Sequence, residues 1–258
     1  MNNSHLHYMP LVAHMGGDDR RSLWDQNSSW WSGQYTTRYD TDYEDVILPF
    51  VRDALSGYRK IIDIGGGEGR LSRYLIEQNG SEVICTDFSL PQLRAGEAQD
   101  PSPDLVQAEV ARLPFGDGVF DAAVICLVLE HVLEFIEAIE ETSRVIRSNG
   151  RLVLILNHPA MQTPESGLVF DHIAEPPTRY WRVSEYLLET SHFEEVEKGV
   201  FLPFEHRPIS KYINTLIESG FTIERLYEPA LSERCFEGEL ELTGVRFIPR
   251  LLIVVCSK

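Results

Sequence analysis

The chain has 258 residues, 43% of them apolar, which suits one α/β domain with an elaboration and a sizeable core. Forty acidic residues against 23 basic ones give a formal net charge of −17, and the lysines and arginines are scattered, so a polyanionic partner such as RNA or DNA is not expected. No run approaches the roughly 18–20 apolar residues of a membrane span. The N-terminus has no apolar signal core, so a cytoplasmic location is expected.

Residues 1–22 read as a flexible tail and 23–58 as an aromatic N-terminal helical lid carrying Trp24, Trp30, Trp31, Tyr35 and Tyr43. Within it, Asp45–Leu55 has Val46, Phe50 and Val51 on one helical face. Strands and helices alternate from Lys60 onward, which predicts a parallel sheet with right-handed crossovers. Lys60–Ile64 is a strand, Leu71–Gln78 a helix and Glu82–Phe88 a second strand; Ser89 and Pro91 then open another helix. Leu105–Val110 and Ala122–Leu127 are strands, Phe135–Arg147 is a helix closed by Asn149-Gly150, and Arg151–Leu156 is a buried strand. The alternation stops at 157–206, an insertion too long for a simple connection and expected to cap the site. A helix at Ser210–Ser219 and strands at Thr222–Tyr227 and Arg250–Val255 complete the domain, taken as residues 59–258. The four cysteines form no C-x-x-C pair and read as buried free thiols.

The most informative run is K-I-I-D-I-G-G-G-E-G-R, Lys60 to Arg70. A strand ending in an acid and three consecutive glycines lets backbone approach a nucleotide-like ligand. Asp87 ends the next strand, where an acid would grip a ribose diol. The spacing is G-x-G-x-G: Arg70 stands where a dinucleotide site wants its third glycine, and there is no G-K-[ST]. An NAD-dependent reductase therefore fits poorly.

Four segments together resemble class I S-adenosylmethionine-dependent methyltransferases of the UbiE-like group. They are D-I-G-G-G-E-G from Asp63, Asp87 itself, A-E-V-A-R-L-P-F at Ala108–Phe115, and F-D-A-A-V-I-C-L-V-L-E-H-V at Phe120–Val132. R-V-I-R-S-N-G-R-L-V-L at Arg144–Leu154 then stands where the group carries R-V-L-R-P-G-G. The resemblance implies a Rossmann-like, doubly wound, mostly parallel seven-stranded sheet with an antiparallel last strand, and S-adenosyl-L-methionine as cofactor with S-adenosyl-L-homocysteine as product. It implies that Asp63, Gly65, Gly66 and Gly67 meet the methionyl end and that Asp87 takes both ribose hydroxyls. Phe88 would lie along the adenine, Glu109 would accept from its amino group, and the Val110 amide would read a ring nitrogen. Cys126 is either a wall of the sulfonium region or a plain core residue.

Methyl transfer needs alignment, exclusion of water and sometimes a base. His131, His158 and His206 follow elements that should end at the ligand crevice and are the base candidates; His172 is a weaker one. Trp31, Tyr35, Tyr180 and Trp181 are candidate substrate walls, with core packing the alternative for each. No metal-ligating cluster stands out. The expected activity is methylation of an O, N or C nucleophile on a small apolar or aromatic metabolite. The alternatives are a tRNA-modifying methyltransferase and a catalytically inactive, cofactor-binding regulatory protein.

Overall fold

The computed structural model describes residues 17–36, 40–230, 232, 234 and 248–258. Seven strands form the central sheet: β1 (Lys60–Ile64), β2 (Glu82–Asp87), β3 (Asp104–Gln107), β4 (Phe120–Cys126), β5 (Ile146–Asn157), β10 (Thr222–Tyr227) and β11 (Leu251–Ser257). Their spatial order is β10-β11-β5-β4-β1-β2-β3. β1, β2, β3, β4 and β5 pair in parallel, and β11 runs antiparallel to both neighbours. This is the doubly wound, Rossmann-like arrangement expected from the alternating pattern.

Both faces of the central strands are covered, which is why β4, β11 and the second half of β5 are largely apolar. Ile62, Ile64, Ile125, Leu154 and Val254 point to one face, packed with α5 (Phe135–Val145) and α6 (Ile209–Glu218). Their neighbours Ile61, Val124, Val153, Ile155 and Ile253 point to the other, against α2 (Leu48–Ala54) and α3 (Arg70–Asn79). Another helix, α4 (Leu90–Glu97), follows β2.

Three boundaries differ from the sequence reading. A helix, α1 (Gly17–Trp31), begins inside the expected tail and buries Arg20; it runs into a π-helical turn, Ser32–Thr36. The helix before β5 ends at Val145, not Arg147, and β5 starts at Ile146, which pairs with Phe120. Backbone bonds from Asn149 N to Lys258 O and from Lys258 N to Gly150 O hold that entry to the C-terminus. The third strand ends at Gln107, leaving Ala108–Val110 as the loop that reaches the site.

The insertion folds as two antiparallel hairpins. One is β6 (Gly167–Asp171) with β7 (Thr178–Arg182); the other is β8 (Thr190–Glu197) with β9 (Val200–His206). Helix α1 lies against the second: Asn27 Nδ2 donates to Phe201 O at 3.0 Å, and Arg20 Nη2 donates to Glu205 Oε1 at 2.6 Å. No described helix is long and apolar enough to cross a membrane.

Candidate active site

Strand β1 delivers the chain into a turn that only glycine permits at its tightest points. Gly65 has φ +73°, and a Cβ there would stand 2.7 Å from both Val128 methyls. A Cβ on Gly66 would stand 2.6 Å from the Asp63 carboxyl and 2.7 Å from Cys85 Sγ. The amides of Gly65 and Gly66 both donate to Thr86 O, at 2.8 and 3.0 Å, so the turn is tied to β2. The amide of Gly67 donates to Asp87 Oδ2 at 2.9 Å, and Ser89 N donates to Asp87 Oδ1 at 2.8 Å.

Beside this turn lies a cavity of about 740 Å³. Asp63, Gly65, Gly66, Gly67, Asp87, Phe88, Glu109, Val110 and Cys126 all line it. An ionised carboxylate offers about four lone-pair directions. Asp87 spends one per oxygen on backbone amides, which leaves one on each for two vicinal hydroxyls. Burial raises its pKa to about 6, against the pull of the Ser89 and Gly67 amides. Asp63 is likewise raised to about 6, chiefly by burial, while Ser72 Oγ donates to its Oδ2 at 2.7 Å. Its Oδ1 is buried with no hydrogen-bond partner among the described residues, as is Oε1 of Gln92 beside Gly67. Such acceptors want a donor, and an ammonium or hydroxyl group satisfies them. A cradle without Cβ atoms, two buried acceptors without partners and a carboxylate with a free lone pair on each oxygen fit S-adenosylmethionine, a cationic ligand with ammonium and ribose hydroxyl groups.

Helix α1 closes one side of the cavity. Ser89 Oγ donates to Asp25 Oδ1 at 2.6 Å, and Ser32 bonds to Glu68. Arg21 pairs with Glu109 at 2.7 Å and stands over the Phe88 ring at 5.7 Å. Glu109 therefore carries a partner other than the adenine amino group the resemblance assigns to it. Its longer side chain reaches outward to the helix and is 65% exposed.

Of the three histidine candidates, only His131 lines the cavity. It ends the 3-10 turn Leu129–His131 after β4, and its Nδ1 lies 2.7 Å from Pro203 O. A carbonyl can only accept, so Nδ1 carries the proton and the lone pair sits on Nε2. Trp24 and Phe204 meet the ring edge-on, at 5.2 and 5.8 Å. The turn is held by Arg207, whose guanidinium donates to Leu129 O and Val132 O at 3.0 and 2.7 Å.

The structure sets the other two apart. His158 has Nε2 on Glu228 at 2.9 Å and Nδ1 accepting from Ala160 N at 3.2 Å, which leaves it no lone pair for a substrate. His206 donates from Nε2 to Tyr186 O at 2.8 Å and stands over a separate small void; burial lowers its pKa. His172 stacks on Phe170 in the first hairpin.

Among the expected walls, Trp31 lines the cavity, and its ring centroid lies 5.1 Å from that of Trp24. Tyr180 and Trp181 sit on β7 and do not border the cavity. The side chain of Tyr35 lies outside the described residues, as does Cys235. The sequence reading passed over Arg20, Gln92 and Glu194, which also line the cavity.

The family described as "Methyltransferase domain" matches residues 62–154, the segment from β1 to β5 that carries the glycine turn, Asp87 and His131. A crystal structure of an S-adenosylmethionine-dependent methyltransferase from Mesorhizobium loti superposes with a TM-score of 0.70 at 25% identity, covering 85% of this chain and 98% of that one. Residues 62–154 thus match a methyltransferase domain, and the chain has the fold of an S-adenosylmethionine-dependent methyltransferase. Among named relatives, a demethylmenaquinone methyltransferase from Paenarthrobacter aurescens is 36% identical over 104 residues, 40% of this chain and 41% of the relative. The chain thus spans about two fifths of that relative's length. A Burkholderia thailandensis 1,6-didemethyltoxoflavin-N1-methyltransferase, solved with S-adenosylhomocysteine bound, shares the fold at a TM-score of 0.61 and 15% identity, covering 99% of this chain and 96% of that one. S-adenosylmethionine is the cofactor of this family, and the site has the residues to hold it.

Proposed function

We propose that the protein transfers a methyl group from S-adenosylmethionine to an O, N or C nucleophile of a small apolar or aromatic metabolite, in the cytoplasm. The observation that carries this is the continuity of one cavity from the glycine turn and Asp87 to His131 and the aromatic walls. Asp87 holds the ribose hydroxyls and Asp63 the ammonium group. The bound cofactor supplies a methyl carbon on a sulfonium, an electrophile that needs no metal or covalent help from the protein.

This chain's residues supply the rest. Trp24, Trp31, Leu202 and Phe204 enclose the acceptor and keep out water. Where the nucleophile carries a proton, the lone pair of His131 Nε2 receives it. The Pro203 carbonyl fixes the tautomer, and Arg207 fixes the turn that presents the ring. A net charge of −17 argues against tRNA as the acceptor.

The test is to incubate the full chain with methyl-labelled cofactor and, separately, a small-metabolite extract and total tRNA. Label appearing in small molecules, and lost in a His131→Gln variant, supports the reading. Label appearing in tRNA, or in neither pool, overturns it.

A further inference from the structure

The acceptor half of the cavity is unusual in what its polar groups can do. Helix α1, the turn after β4 and the β8–β9 hairpin bring Arg20, His131 and Glu194 to the same region as Trp24, Leu202 and Phe204. Arg20 is the one cation of this group, and it is paired with a carboxylate; Arg70, Arg112 and Arg250 line the same cavity from other elements. Arg20 Nη2 donates to Glu205 at 2.6 Å and to Ser191 at 2.9 Å, and its Nε and Nη1 are buried with no hydrogen-bond partner among the described residues. His131 donates from Nδ1 to Pro203 O. The acceptors this group offers a ligand are the lone pair on His131 and the carboxylate of Glu194.

Glu194 is placed by the period of the hairpin. It pairs with Leu202 in β9 and lines the cavity with Val196, Leu202 and Phe204, His192 lying two residues before it on the same face. Burial raises its pKa. Among the described residues nothing donates a hydrogen bond to it or forms an ion pair with it. A half-buried carboxylate in an apolar wall is costly unless something donates to it. Its hairpin partners supply nothing, so the donor comes from the ligand.

We propose that Glu194 selects the methyl acceptor, by accepting a hydrogen bond from a hydroxyl or protonated amine on a neutral or cationic aromatic compound, and that its own charge disfavours anionic acceptors. The proposal rests on reading that half as the acceptor site.

Three ligands with one ring system separate the possibilities: 2-naphthylmethylamine, 2-naphthylmethanol and 2-naphthoate, titrated calorimetrically into the full chain saturated with S-adenosylhomocysteine. The amine and the alcohol are expected to bind, with the carboxylate at least about tenfold weaker than either. Glu194→Gln is expected to weaken the amine about tenfold and the alcohol less, since a neutral amide still accepts from a hydroxyl but loses the charge that holds an ammonium. Its affinity for S-adenosylhomocysteine should be unchanged, which also shows that the variant is folded. Glu194→Asp keeps the charge and should keep the order of amine over carboxylate. A preference for 2-naphthoate, equal affinities for all three, no binding by any of them, or a Glu194→Gln variant indistinguishable from the parent would overturn the assignment while leaving the methyltransferase reading standing. Failure of S-adenosylhomocysteine itself to bind would remove both.

Discussion

Replacing Asp87 with Asn changes the charge of the ribose clamp while nearly keeping its shape. In the parent, both carboxylate oxygens take a backbone amide, from Gly67 and Ser89, and each keeps a lone pair directed at the cavity. Asparagine offers one oxygen, and its amide NH₂ must face one of those two N–H groups. A hydrogen bond to an ionised acceptor is worth about 1.5–3 kcal/mol and one to a neutral acceptor about 0.5–1.5 kcal/mol, so two hydroxyl contacts lose about 2–3 kcal/mol together. That predicts affinity for S-adenosylhomocysteine about 30- to 150-fold weaker at pH 8.

The pH dependence supplies a second reading of the same carboxylate. Asp87 and Asp63 both have pKa values of about 6 in the folded protein, raised by burial from 3.8. The ligand needs both ionised, so parent affinity should fall as pH drops through 6. Asp87→Asn should lose part of that fall, with Asp63 supplying the remainder. For stability the sign reverses. Between about pH 4 and 6 the folded state holds more protons on these two acids than the unfolded chain does, so they make the ligand-free protein more stable as pH falls through 6. Calorimetric titration from pH 8 to 5.5, with thermal melts of the free protein, measures both. An Asp87→Asn variant that is folded and binds S-adenosylhomocysteine like the parent would refute the clamp.

Further outcomes follow from the same geometry. Gly66→Ala places a methyl 2.6 Å from the Asp63 carboxyl and should cost about 1–3 kcal/mol of stability by overpacking, along with cofactor affinity; an unchanged melt and affinity would show that the turn is looser than described. His131→Gln should lower kcat about 10²- to 10⁴-fold if the acceptor carries a proton, with S-adenosylhomocysteine affinity unchanged; full activity would return His131 to a packing role. Arg207→Met strips Val132 O of its side-chain donor and leaves Leu129 O only the Val132 amide, and should destabilise the fold by about 1–3 kcal/mol, read by denaturant titration; a neutral result would mean the 129–133 turn holds itself.

The sheet and the glycine turn were legible because their determinants are local. Apolar runs, glycines and a strand-end acid occupy about thirty consecutive residues, and each asserts itself without help from distant chain. Boundaries were less so. Nothing in Ile146–Gly150 says that this stretch leaves the helix to pair with Phe120 and the C-terminal Lys258, because both partners are remote. The histidines show the same limit. His131, His158 and His206 look equivalent in sequence, and only the partners at Pro203, Glu228 and Tyr186 separate one free lone pair from a spent one and a walled-off one. Glu109 shows the same dependence on remote chain: Arg21, in a segment read as a tail, pairs with it. Glu194 had a signal that went unread. The turn at Lys198-Gly199 between T-S-H-F-E-E-V-E and V-F-L-P-F-E-H marks a hairpin, and the pairing of Glu194 with Leu202 then sets its face.

The most direct test of the central claim is a calorimetric titration of the full chain with S-adenosylhomocysteine, with NADH as control. Saturable, one-to-one, micromolar binding of S-adenosylhomocysteine and no heat from NADH are expected. No binding of S-adenosylhomocysteine, or equal binding of NADH, would contradict the claim.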